Sequence, residues 1–184
     1  MTLLDRAIHA ITQVLDSQRI EYAIIGGIAN AVWGEPRATI DVDVTVAVDD
    51  NDLPTKIPAI AAHFRPAVAD SADFVRQTRV LPLDTADGVR IDVIFALLPF
   101  ELDAIRRARK VVLAGRTVAV VTPEDLVLMK IISDRSRDLA DAEAIVRRRA
   151  VVLDRAYLEP RVRELAAGLE RDEILERWLR WTSV

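Results

Sequence analysis

Cysteine is absent from the 184-residue chain, which excludes disulfides and thiolate metal sites and leaves the redox compartment open. Aromatic residues make up only 5%, so Leu, Ile, Val and Ala must fill any core. Histidine occurs twice, at the isolated His9 and His63, and suggests no metal-ligand set. No apolar run reaches the roughly eighteen residues that a membrane span requires. Residues 1–18 mix charged with apolar side chains, unlike the unbroken apolar stretch of a signal peptide. The expected compartment is the cytoplasm, with no membrane partner. Positive charge is not in excess: 25 Lys and Arg face 29 Asp and Glu, for a net charge of −4 and a pI near 5.3. That balance argues against broad, charge-driven binding of nucleic acid and leaves a local basic groove open.

Hydrophobic residues make up 51% and charged residues 29%, enough for a packed core under a hydrated surface. Leu4, Ile8, Ile11, Val14 and Leu15 recur at helical spacing and predict a helix over 2–19. Residues 22–25 read as a buried strand ending at Gly26-Gly27, followed by a short helix over 28–33 that Gly34 and Pro36 close. Residues 39–48 read as a strand with Val42, Val44, Val46 and Val48 on one face. A helix is expected within 49–64, limited by Pro54 and Pro58. Asp87-Gly88, between the apolar runs 80–83 and 89–95, marks a hairpin. Residues 99–109 look helical, and a second hairpin is expected across Ala114-Gly115-Arg116. Thr122-Pro123-Glu124-Asp125 has the cap, proline and acids of a helix start, and helical pattern fills the remainder. The expected fold is α/β (α+β): a small mixed sheet with flanking helices over 1–121, then a C-terminal helical subdomain over 122–184.

The chemistry concentrates between Tyr22 and Val48. Gly26 and Gly27 end a strand and open a helix, where backbone can approach a ligand and free N–H groups suit a phosphate. A plain tight turn explains such a pair equally. Asp41 and Asp43 stand two apart in a strand, so both carboxylates share one face. Two like charges there repel unless solvent or a cation relieves them, and Mg²⁺ commonly takes one or two carboxylates plus phosphate oxygens. A solvent-facing strand edge is the bland alternative. Asp92 interrupts the apolar run 89–95, where burial alone explains it poorly. Its alternative is an ion pair with Arg90 on the same face. If the Asp92 strand lies beside the Asp41 strand, three carboxylates converge, and such a cluster can hold divalent cations at a polyphosphate.

A strand ending in Gly-Gly, a short connection and then Asp-x-Asp on a strand, with Asp92 as a separate third acid, resembles the polymerase-β-like nucleotidyltransferase superfamily. Pro36-Arg37-Ala38-Thr39, together with Lys130 and Arg137-Asp138-Leu139-Ala140-Asp141, resembles the AbiEii-type enzymes of toxin–antitoxin and abortive-infection systems. The resemblance spans roughly residues 20–146. It implies an NTP substrate such as ATP, with Gly26 and Gly27 on the triphosphate. It implies Asp41 and Asp43 on Mg²⁺ or Mn²⁺, with Asp92 completing the metal site or activating the acceptor. Lys130 would contact a phosphate and Asp141 would support that lysine. Gly27 stands where many relatives have serine, so backbone N–H groups must replace a hydroxyl. The implied acceptor is tRNA or a protein side chain, and the implied partner is a cognate antitoxin or toxin. Two alternatives are an antitoxin-type adenylyltransferase and a catalytically silent nucleotide-binding module.

Other residues allow two roles each. Lys130 lies in an apolar helix and can simply snorkel to water. Arg37 suits a phosphate or a loop carbonyl. Asp138 and Asp141 share a helix face and suit plain solvation. Arg147-Arg148-Arg149 reads as a charged helix end that favours the dipole, and Trp178 and Trp181 read as anchors of the last helix.

Overall fold

The computed structural model describes residues 1–183. The chain divides into two compact units, Met1–Ile28 with Ala38–Val121, and Ala29–Arg37 with Thr122–Val184. The division read from sequence runs at 121/122; in the structure residues 29–37 belong with the C-terminal helices.

The first unit is built on one sheet. Helix α1 (Leu3–Ser17) begins at a reciprocal cap, in which Thr2 Oγ1 accepts from Asp5 N and the Asp5 carboxylate accepts from Thr2 N at 2.6 Å. Its apolar stripe, Ala7, Ile8, Ile11, Val14 and Leu15, is buried. Strand β1 (Glu21–Ile24) leads into helix α2 (Gly26–Trp33), and the division between the units falls inside that helix. Strand β2 (Asp41–Ala47) follows. Helix α3 (Leu53–Ala61) is shorter than the pattern over 49–64, because Pro54 suits a first turn and Pro58 lies within it. No apolar period marks residues 65–79, yet they hold strand β3 (Arg65–Pro66) and helix α4 (Ser71–Thr78). Local chemistry explains α4: Asp70 caps it by accepting from Asp73 N, and Arg79 ends it in the left-handed conformation at φ 61°.

Strands β4 (Val80–Asp84) and β5 (Arg90–Phe95) form the hairpin about Asp87-Gly88. Helix α5 (Pro99–Arg107) precedes the second hairpin, β6 (Arg109–Leu113) with β7 (Arg116–Val120). The sheet order is β3-β4-β5-β2-β1-β7-β6. β2 with β5 and β1 with β7 run parallel, and the other neighbours run antiparallel. The sheet is therefore mixed, and the fold is α/β. Val42, Val44 and Val46 are fully buried, as are Ile91 and Val93 of the adjoining strand. Val48 lies just beyond the end of β2.

The second unit is helical. Thr122 caps helix α6 (Pro123–Ile131) by accepting from Asp125 N, and α6 is buried almost all round. Helices α7 (Ser136–Arg148), α8 (Arg155–Gly168) and α9 (Asp172–Thr182) complete the unit. Even the acids of α6 are buried and partnered: Glu124 Oε1 accepts from Asp154 N, and Asp125 Oδ1 from the Tyr157 hydroxyl at 2.6 Å. Trp178 and Trp181 are buried in α9. Among the described residues, no helix is long and apolar enough to cross a membrane.

Candidate active site

The parallel pairing of β2 with β5 decides where the acids meet. Asp43 lies directly opposite Asp92, and Asp41 lies opposite Arg90. Side chains two apart on a strand share a face, and so do residues paired across strands. Asp41, Asp43 and Asp92 therefore lie on one face of the sheet, and the buried valines of β2 lie on the other. All three acids are half-buried. Thr39 Oγ1 donates to Asp41 Oδ1 at 2.7 Å and orients that carboxylate.

Arg90 resolves the alternative for Asp92. Its Nε donates to Asp84 across the β4–β5 hairpin at 2.9 Å, and among the described residues no ion pair holds Asp92. The Asp92 carboxyl is pushed above its ordinary value, first by burial and then by the negative charges of Asp41 and Asp84, against the opposing pull of Arg90. A carboxyl whose proton affinity is raised by neighbouring carboxylates marks a place where a cation is stabilising.

Gly26 is explained by the same face. It sits at φ +61° between β1 and α2, and a Cβ built there would lie 1.9 Å from Asp43 Oδ2. Only glycine leaves room for that carboxylate. Gly27, buried, is the second residue of α2. The backbone also ties the two strands, with Ile25 N donating to Asp43 O at 3.0 Å. The glycine turn and Asp43 are thus one packed arrangement.

Among the described residues, no group of three or more His, Cys, Asp or Glu side chains is drawn together as a ready-made metal site. Mg²⁺ does not need one, because it usually takes one or two carboxylates and completes its shell with water and phosphate oxygens. Asp43 and Asp92 in register, with Asp41 two residues away, fit that requirement.

The remaining candidates gather in the second unit as an ion cluster. Lys130 is 5% exposed, so it does not snorkel to water. Its ammonium donates to Asp138 Oδ1 at 2.7 Å and to Asp141 Oδ2 at 2.9 Å. Arg37 donates to the same Asp141 through Nε at 3.2 Å and Nη2 at 3.1 Å, a forked pair and not a contact to a loop carbonyl. Asp138 was expected in water. Instead Ser133 Oγ and the Arg135 guanidinium share it with Lys130. Burial raises its proton affinity, but Lys130, Ser133 and Arg135 outweigh that and hold its carboxyl below the usual range.

Sequence pattern missed two participants here. Asp138 is one: it stands in the motif that carries the family resemblance, but the pattern assigns it no role beside Lys130. The other is Asn30, fully buried, which carried no signal at all. Arg149 also differs from a plain charged helix end: it donates to Trp33 O at 2.6 Å and stands 5.1 Å over the Trp33 ring.

Residues 4–177 match the model of a family described as nucleotidyl transferases of unknown function (DUF2204). The chain belongs to this family. Among curated proteins no sequence matches at a significant level. Solved structures share the fold. An antigenic nucleotidyltransferase-like protein from Paracoccidioides brasiliensis matches at TM-score 0.51 and 21% identity, over 95% of this chain and 91% of that one. The solution structure of the antibiotic-resistance factor ANT(2'')-Ia matches at TM-score 0.62 and 17% identity, over 92% and 96%. The crystal structure of ANT(2'')-Ia in complex with adenylyl-2''-tobramycin matches at TM-score 0.57 and 17% identity, over 96% and 99%. At these identities the likeness concerns fold alone.

Proposed function

We propose that the chain transfers a nucleotidyl group from an NTP in a reaction dependent on Mg²⁺ or Mn²⁺, with Asp41, Asp43 and Asp92 as the acidic residues that carry it. The observation that supports this most is the register of Asp43 with Asp92 across parallel strands, beside a glycine turn that admits only glycine against Asp43. An acceptor hydroxyl oxygen attacks the α-phosphorus in line. The bond from that phosphorus to the bridging oxygen breaks, and pyrophosphate leaves. A divalent cation held by these acids would neutralise charge on the phosphates. The chain's own part is positional: Thr39 orients Asp41, the Asp43–Gly26 packing fixes the turn, and the start of α2 offers N–H groups to the triphosphate. Asp92 completes the acidic set beside the acceptor and takes the proton that the attacking hydroxyl loses.

The family resemblance gives Lys130 a phosphate contact, and Arg37 suits one by its chemistry. Both cations are already bound by Asp138 or Asp141, which supports a supporting role for them and for Asp141. The likeness of residues 36–39 and 137–141 to AbiEii-type enzymes supports an RNA or protein acceptor and a toxin–antitoxin partner. A specific observation favours a second acceptor class. A cavity of about 770 Å³ borders Asp41 within the first unit and is lined by Asp84 and Asp87 as well as Leu3 and Ile40. Arg90 lines it too and pairs with Asp84, and Asp87 pairs with Arg6, so the cavity suits a small hydroxyl compound by its size and its place beside Asp41. The ANT(2'')-Ia complex holds an adenylylated tobramycin.

The test is incubation with each α-labelled NTP, Mg²⁺, and total RNA, lysate protein or tobramycin as acceptor. Label should pass to one acceptor and not when Asp43→Asn replaces the native chain. Transfer undiminished by Asp43→Asn would overturn the proposal.

A further inference from the structure

One carboxylate of α7 closes the turn between α2 and β2. Asn30 Nδ2 donates to Asp141 Oδ1 at 3.3 Å and to Glu35 O at 2.9 Å. Arg37 grips Asp141 from the other end of the same segment. Residues 30 and 37 are thereby joined through a group far away in sequence. The inside of the turn is tight. Gly34 N donates to Asn30 O at 2.8 Å, and a Cβ at Gly34 would lie 2.6 Å from Asn30 Oδ1 and 2.9 Å from Ile145 Cγ1. Farther along α7, Arg149 holds the carbonyl end of α2 through Trp33 O. Asp141, Ile145 and Arg149 are spaced by four, so one face of α7 meets the whole segment.

Both ends of this segment lead to the residues proposed to react. The helix that carries Asn30 begins at Gly26, and Arg37 stands four positions before Asp41. The first turn of α2 has its own anchor in the sheet, through Ile25 N on Asp43 O. The path from Trp33 to Asp41 has no regular secondary structure. Its order comes from side chains, and Asn30 is the most buried of them.

We propose that Asn30 is a positioning residue for the transfer reaction: with Arg37 and Asp141 it forms a clasp that fixes the chain entering the Asp41 strand. This rests on the reading of Asp41 as reactive. Asn30 acts through Asp141 and touches no substrate. Loosening the clasp misplaces Asp41 while the glycine turn keeps its anchor, so alignment suffers more than nucleotide affinity.

The test uses the full chain with Asn30→Ser and Arg37→Lys, singly and together. Amide exchange at Gly34 and over the last turn of α2, residues 31–33, should quicken about tenfold or more in each variant, with α6 unchanged. Turnover should fall roughly 10- to 100-fold while KM for the NTP stays within about threefold. The double variant should be no worse than the poorer single one, because the Asn30 tie and the Arg37 tie to Asp141 are both needed to close the same turn. Unchanged exchange at Gly34 and over the last turn of α2 overturns the clasp. Quickened exchange with normal turnover overturns its role in the reaction, and so does a KM that rises in step with the loss. If the unaltered chain transfers from no NTP, the functional reading fails, and the exchange data still decide the clasp. Should Asn30→Ser not fold, the half-buried Arg37→Lys carries the same measurements.

Discussion

Asp92 and Asp138 are both half-hidden carboxylates beside another aspartate and an arginine, and their environments push them in opposite directions. On the sheet face Asp92 is raised by burial and by Asp41 and Asp84, while the nearby Arg90 is committed to Asp84. In the second unit Asp138 is lowered, because Lys130, Ser133 and Arg135 all turn toward it. On the sheet face, burial and the negative neighbours of Asp92 outweigh Arg90, beside a glycine turn that packs against Asp43. In the second unit, two aspartates are set against Lys130, Arg37 and Arg135. Acid count therefore says little about function. On the proposed reading, the charges that face a carboxyl, more than the number of acids, separate the sheet-face acids from the α7 cluster.

That contrast can be broken most sharply by removing one acid from the sheet face. Asp43→Asn should lower turnover by about 10²–10³-fold, a size typical of losing one electrostatic group at a reacting phosphate, with circular dichroism unchanged. Next in size is Lys130→Met, which leaves Asp138 and Asp141 buried with less compensation. It should cost about 3–5 kcal/mol by urea denaturation, and an unchanged midpoint would contradict the structural role of the cluster. Gly34→Ala should cost about 1–3 kcal/mol, because its Cβ would meet Asn30 and Ile145. The smallest effects have opposite signs. Asp92→Asn should raise Tm at neutral pH by about 1–3 °C, while Asp138→Asn should lower it. Asp92 has a raised folded-state pKa, so its ionisation opposes folding above that pKa and the penalty vanishes below the ordinary carboxylate value. Asp138 has a lowered one, so its contribution is complete above the ordinary value and is lost as pH falls through the folded-state pKa. Thermal melts of both variants from pH 3 to 8 should converge on the native curve in acid. A shared sign at neutral pH would erase the distinction.

Much of the fold was legible because its signals are local. Asp87-Gly88 sets the β4–β5 hairpin, Thr122-Pro123 starts α6, and the alternation around Val42 and Val44 turns Asp41 and Asp43 the same way. Helix α4 and strand β3 were not, since a short polar helix and a two-residue edge strand have too few apolar positions to show a period. The candidate site divides in the same manner. Asp41, Asp43 and Gly26 share one stretch of chain, and their common face follows from strand geometry. That Asp92 pairs with Asp43, and that Arg90 turns to Asp84, depends on which strands adjoin. Asn30 and Asp138 lie further from view. An asparagine in an apolar helix and an acid on an amphipathic one acquire meaning only when Asp141 and Lys130 arrive from other parts of the chain.

Calorimetric titration with a non-hydrolysable NTP, in the presence and absence of Mg²⁺, tests the central claim most directly. The native chain and Asp138→Asn should both bind with Mg²⁺ and weakly without it, and Asp43→Asn should lose the Mg²⁺-dependent part. Equal Mg²⁺-dependent binding by Asp43→Asn and the native chain would contradict the assignment of the reaction to the sheet face.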